Sequence, residues 1–448
     1  MAFDRTDCTF GWSSGNDSDS DDVVIYSLIK GASKRGPKVD RSSDDRTPWC
    51  RTDWDMHVAA KIRENLWNEY YHMPVSCFDR LHSLLFRETP QQSELSKVRA
   101  LASTPMGSID TKVKLASTLR QLFGEKQLSV VDVFKISKTS CRTAFFDVIR
   151  RINSCPELDG KLYATDHTQS TLEQRAFDFA QRSSHPHIFR HAVGAIDGLF
   201  IRTDMPHVRE VGNVRQYYSG HKKGYGVNMQ GVCDAQCRFI GFACNTPGST
   251  GDYVAFRHSN FYGQWPMLMQ PFYYLGDCAY PLSPFCMTPF VGTQLPPSED
   301  AFNFFHSQLR ITIERTFGIF VNVFGIFQRQ LSFSIANTCD VIEACVKLHN
   351  YRINQGCQHV TRRLTNGATF RTAFDRSNEE FDVLEDPRYC TDRPHLSDNV
   401  YAQHVAQTEI YSGMNPGDAA LGMQRRKVVA ELLAHVNAAR PSANVRKE

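Results

Sequence analysis

The chain has 448 residues, 41% hydrophobic and 22% charged, which is enough apolar material for a sizeable core and leaves room for two or three domains. Its 51 Lys and Arg nearly balance 48 Asp and Glu, giving a formal net charge of +3. No global field therefore argues for a nucleic-acid partner, and any such affinity must come from where the charges sit. No apolar run is long enough to span a membrane. Asp4, Arg5 and Asp7 interrupt any secretory leader, so the 14 cysteines read as free thiols in a reducing compartment. Cys233 and Cys237 lack a second pair nearby, and a structural zinc site is not expected there.

In chain order, residues 1–50 carry SGNDSDSDD and KGASKRGPKVDRSSDDR, contain little that builds a core, and are read as a disordered tail. Lys34, Arg35 and Lys38 suit a nuclear import receptor, a DNA backbone or simple solvation. Residues 51–160 read as a helical domain. Apolar groups recur at spacings of three and four from 54 to 90, and Pro74 is placed to open a second helix there. TKVKLASTLRQLFG ends at a glycine stop, Gly124. LSVVDVFKI and SKTSCRTAFFDVIRRI follow as a short and a longer helix, with Ser137 placed to cap the second. This is a helix-turn-helix-like pattern, and it puts Lys138 and Arg142 in the early turns where base edges are met; a plain three-helix packing unit fits it as well.

From 161 to 354 the texture is that of an α/β domain. A polar helical stretch precedes HAVGAIDGLFI, YGVNMQGVCDAQ, CRFIGFACN and PFYYLGDCAY, which read as strands. TGDYVAFRHSNFY reads as a helix, and FNFFHSQLRITIERTFGIFVNVF and LSFSIANTCDVIEACVKLHNYRI as two more. Strands early and helices late predict a mixed sheet flanked by helices. Residues 355–420 read as a polar linker or loop, and 421–448 as a basic closing helix and tail.

Three acids stand where charge is costly. Asp197 and Asp277 end apolar strands, and Glu314 lies within a helix. Each alone reads most simply as a turn residue or a surface ion pair. Together at one rim of a sheet, three carboxylates would raise one another's pKa and bind hard divalent cations. His306, Arg310 and Glu314 recur every fourth residue and share a helix face, which points His306 and Arg310 at the same substrate as accessory groups. Lys222 and Lys223, in a glycine-flanked loop, suit phosphates or solvent alike.

The blocks GAIDGLFI, YYSGHKKGYGVNMQGVCDAQCRFIGF, PGSTGDYVAFRHS, YYLGDCAYPLSPFCMTPF, FNFFHSQLRITIERTFG and VIEACVKLHNY closely resemble the PIF/Harbinger superfamily of transposases and their domesticated nucleases. A weaker likeness reaches back to residue 68. The resemblance implies a ribonuclease H-like domain, preceded by the all-helical domain, in which Asp197, Asp277 and Glu314 are catalytic and hold two Mg²⁺ or Mn²⁺ ions. Asp252 falls on another acid typical of the family, which either orients near the metals or caps the following helix. The resemblance further implies a nuclear enzyme that cuts DNA at terminal inverted repeats and joins the freed 3′-OH to target DNA. It implies a homodimer and a separate Myb/SANT-like partner, with no role at a membrane. The sequence departs from the family in two places. The gap from Asp277 to Glu314 is short, and Val321, Val323 and Gly325 stand where basic residues are usual. A domesticated nuclease without transposition, a non-catalytic DNA-binding scaffold and an RNA-cleaving ribonuclease H are the rival readings.

Overall fold

The computed structural model describes residues 51–87, 108–159, 168–259, 262, 271–357, 416–436 and 438–440. The amino-terminal tail and most of the 355–420 linker lie outside the described residues. Within 54–90 the helical periodicity resolves into three helices, α1 (Trp54–Arg63), α2 (Trp67–Tyr71) and α3 (Val75–Leu85). Asp53 caps α1 by accepting from the Met56 amide, and Pro74 stands just ahead of α3 in extended conformation. Their aromatic faces stack together: Trp54 lies on Phe78, and Trp67 on Tyr71. Each such ring removed from water contributes roughly 1.5–3 kcal/mol.

Next come α4 (Thr111–Leu122), α5 (Gln127–Phe134) and α6 (Lys138–Asn153). Gly124 follows α4 at φ +105°, a conformation in which glycine avoids strain. Ser137 caps α6 by accepting from the Ser140 amide. A short α7 (Pro156–Asp159) and α8 (Gln169–Ala180) lead into the sheet, and α8 packs on its first strand.

The strands are β1 (Ala192–Arg202), β2 (Tyr218–Ser219), β3 (Gly224–Cys233), β4 (Phe239–Pro247), β5 (Tyr273–Leu275) and β6 (Cys286–Met287). A one-turn helix, α9 (Val208–Val211), lies between β1 and β2, and α10 (Asp252–Arg257) follows β4. β3 pairs antiparallel with β1, β2 and β4, whereas β1, β5 and β6 run parallel. This is the mixed sheet expected of a ribonuclease H-like domain. Two long helices, α11 (Pro297–Val323) and α12 (Ile335–Asn354), bury apolar faces against it. The closing helix α13 spans Pro416–His435, so it begins five residues before its expected start at 421. It docks through arginines: Arg425 donates to the carbonyls of Pro271 and Pro284, and Arg426 to those of Thr288 and Pro289. Among the described residues no helix is long and apolar enough to cross a membrane.

The apolar strip after Glu314 belongs to the core. Phe320 and Phe324 are fully buried, Phe320 lies against Phe239 and His349, and Phe324 lies against Phe123 at the end of α4. The amino-terminal helices and the sheet thus share one continuous hydrophobic core. At Gly325 the approach is between backbones. A Cβ on Gly325 would sit 2.7 Å from the Phe123 carbonyl oxygen and 3.2 Å from the Gly124 Cα. Neither atom can swing aside, so Gly325→Ala should lower stability by about 1–3 kcal/mol. A urea midpoint that drops with unchanged slope is the expected reading, and an unmoved midpoint would show that these backbones do not meet.

Candidate active site

The pairing of β1 with β5 places two of the acids. Ala195 lies opposite Leu275 in the parallel ladder; Asp277 follows two residues past the end of β5, whereas Asp197 does not end its strand as the sequence suggested but sits mid-way along β1. The strand side chains before them are buried and apolar, and both carboxylates are themselves partly buried at the edge of that core. Asp197 accepts from the Gly198 amide at 2.8 Å, and Asp277 from the Ala279 amide at 2.9 Å.

Glycine brings in the third acid. Gly231 lies opposite Asp197 in the antiparallel ladder, and a Cβ there would be 2.9 Å from the Phe317 ring. The missing side chain lets α11 lie close over β3. Glu314, one turn before Phe317, then comes level with Asp197. Arg310 joins them: its Nη1 donates to Asp197 at 3.1 Å and its Nη2 to Glu314 in a short ion pair. The expected sharing of a face by Arg310 and Glu314 is therefore seen.

His306 is different. It is 1% exposed, lies against the Phe302 ring and shares a 3.0 Å hydrogen bond with the Met287 carbonyl. The sequence reading that turned it toward substrate is corrected: α11 rotates this position into the core, and its imidazole anchors the helix to β6. Burial lowers its pKa to about 3. The unfolded chain takes up a proton near pH 6.5 and the folded one does not, so this group removes stability as pH falls below 6.5. Between pH 7 and 5 the loss is about 2 kcal/mol, and His306→Gln should show that much less acid sensitivity in denaturant midpoints taken across the range.

Asp252 is the first residue of α10, whose cap is Gly251. Its carboxylate does not cap the helix. Oδ1 accepts from Asn228 at 3.0 Å and from Gln230 at 3.1 Å. Gln230 is 1% exposed and is fixed from its other end by the Tyr280 hydroxyl, which donates to it at 2.6 Å. Asn228, Gln230 and Tyr280 were missed by sequence reasoning. The available signal was two amides at alternate positions of an apolar strand, which places both on one face.

The electrostatics fit a group of acids crowded away from water. Burial pushes the Asp197 carboxyl up to about 7, with Arg310 pulling down and Asp277 and Asp252 adding upward. Burial also raises Asp277, against Arg310 and the Ala279 amide, with Asp252 and Glu314 adding to the rise. For Arg310, burial pulls the pKa down but Glu314, Asp197 and Asp277 outweigh it, and the net shift is upward, so the guanidinium stays charged. Among the described residues, no three Asp, Glu, His or Cys side chains are already grouped to hold a metal ion. The donor chemistry nonetheless suits a hard cation, because the groups that act on one another here are carboxylates. Lys222 and Lys223 are exposed on the turn before β3, and Lys138 and Arg142 on the first turns of α6. No hydrogen bond or ion pair among the described residues joins these four side chains to the acids. Cys233 and Cys237 are buried free thiols.

Residues 196–350, which span all four acids, match the DDE superfamily endonuclease family. A protein described as ALP1-like from Arabidopsis thaliana is 31% identical over 131 residues, covering 26% of this chain and 31% of that relative. These likenesses support the resemblance to Harbinger-type transposases and their domesticated derivatives. No solved structure matches the chain. The matched stretch begins within β1, one residue before Asp197, and ends near the close of α12, so its bounds follow the sheet and the two long helices packed on it.

Proposed function

We propose that the protein is a metal-dependent DNA nuclease of the transposase type, acting in the nucleus on terminal inverted repeats. The observation that carries this reading is the meeting of Asp197 and Glu314 on Arg310, with Asp277 two residues past the end of β5, the strand that runs parallel beside β1. Asp197, Asp277 and Glu314 would hold Mg²⁺ or Mn²⁺, two ions in all. Bound there, such ions supply Lewis-acid charge at a phosphodiester and acidify water. The chain's own residues do the rest. Gln230 and Asn228 aim Asp252 at the group, and Tyr280 holds Gln230 in place. Arg310 is the cation that would face a scissile phosphate. Lys138, Arg142, Lys222 and Lys223 are exposed and would meet the DNA backbone. Joining of the freed 3′-OH to target DNA, pairing of two copies and help from a Myb/SANT-like partner belong to the same reading.

The test is cutting of end-labelled DNA, and of an RNA–DNA hybrid in parallel, with Mg²⁺ or Mn²⁺ and with chelator. The wild-type protein should cut DNA only with metal, and Asp277→Ala should not cut. Equal cutting by both proteins would remove the assignment of Asp277. Preference for the hybrid would favour a ribonuclease, and metal-independent DNA binding without cutting by either protein would leave a scaffold.

A further inference from the structure

We propose that Arg310 is a built-in counter-ion that occupies the place a divalent cation takes between Asp197 and Glu314, so that its ion pairs and cation binding exclude one another. This rests on the reading of these acids as metal ligands and adds to it a control on when they are loaded. Arg310 lies on α11, one turn before Glu314, and its two terminal nitrogens bond different acids. Its side chain is 20% exposed and that of Asp197 is 19% exposed, so this pair is largely out of solvent. A carboxylate desolvated to that degree needs a compensating charge, and the guanidinium supplies it without a metal. A planar fork that spans two carboxylates stands where their shared ligand would stand.

Arg310 has a long stem and makes its ion pairs at the tip, so these can break without unwinding α11. Once released it needs another anion, and a phosphodiester offers a matching pair of oxygens. DNA would then draw Arg310 off the acids, and the freed acids would take up cation. Each ligand should therefore tighten binding of the other. Loading would be confined to the moment a strand is in place.

Mn²⁺ binding measured by titration calorimetry, with no DNA present, decides the matter. Arg310→Gln should bind Mn²⁺ at least about tenfold more tightly than the wild-type protein. A short non-cleavable duplex carrying a phosphorothioate should raise the wild-type affinity but not that of the variant. Adding Asp277→Asn to the variant should abolish the gain, which ties it to this site. If Arg310→Gln binds Mn²⁺ equally or more weakly while Asp277→Asn alone abolishes binding, the counter-ion inference is overturned and the metal reading stands. If neither wild type nor Arg310→Gln binds Mn²⁺, both fall together. Should Arg310→Gln fail to fold, Arg310→Lys serves instead. It keeps the charge but cannot span two acids, and it should show an intermediate gain that an unrelated structural role would not produce.

Discussion

Asp197→Asn should abolish DNA cutting and, in chelator at pH 8, yield a more stable protein. The two outcomes share one cause. Burial raises this carboxyl to about 7, so the folded protein holds a proton that the unfolded chain, titrating in the ordinary carboxylate range, has already released. Over that interval the unfolded state binds fewer protons, and stability falls as pH rises from about 4 to about 7, then levels off. Asparagine carries no charge to desolvate, and Arg310 keeps Glu314 as its partner. The variant should gain on the order of 2 kcal/mol at pH 8, a gain that shrinks on acidification and is gone near pH 4. Its cutting rate should fall by about a thousandfold, the cost of losing several kcal/mol of charge stabilisation at the phosphate. With a short non-cleavable duplex in place, Mn²⁺ should raise the melting temperature of the wild-type protein and not that of the variant. A variant that is less stable at pH 8 than at pH 4 relative to wild type would mean that Asp197 contributes to the fold as a satisfied ion pair and is not held under electrostatic strain.

That strain is what made part of the site legible in the sequence. Asp197 and Asp277 stand at the ends of apolar runs that have no structural need of an acid, and the spacing of Arg310 and Glu314 puts them on one face of any helix. Their convergence was not legible, because it depends on the parallel register of β1 on β5 and on the bare face of Gly231, both of which join segments distant in sequence. His306 shows the limit of periodicity. Its spacing matches that of Arg310, but this end of the stripe lies in the core, where the imidazole meets the Met287 carbonyl. The apolar strip from Ile319 to Phe327 shows the same limit. As sequence it is a missing row of basic residues, and in the fold it is the surface on which α4 rests, with Gly325 against Phe123 and Gly124. The two alternatives for Asp252 were decided by a neighbouring strand: Gly251 is the cap, and the amides of Asn228 and Gln230 hold the carboxylate elsewhere.

Gly198→Ala should leave the fold intact and cost about a hundredfold in cutting. Gly198 follows Asp197 and lies opposite Gln230 in the ladder. A Cβ there would fall 2.1 Å from Oδ1 of Asp252 and 2.9 Å from Nε2 of Gln230. Both lie toward the ends of side chains and can be displaced, but they belong to a buried hydrogen-bond network, so the stability loss should be about 1–3 kcal/mol. Moving them breaks the hydrogen bonds that aim Asp252 at the other acids, and displacement of a positioned group by roughly 1 Å is enough for a hundredfold loss. A cycle with Asp252→Ala separates this from a general disturbance of β1. If Gly198 acts through Asp252, the double variant should cut no more slowly than Asp252→Ala alone. Fully additive losses would show that the methyl group harms Asp197 directly, and that Asp252 is a bystander held by two amides for the sake of the strand.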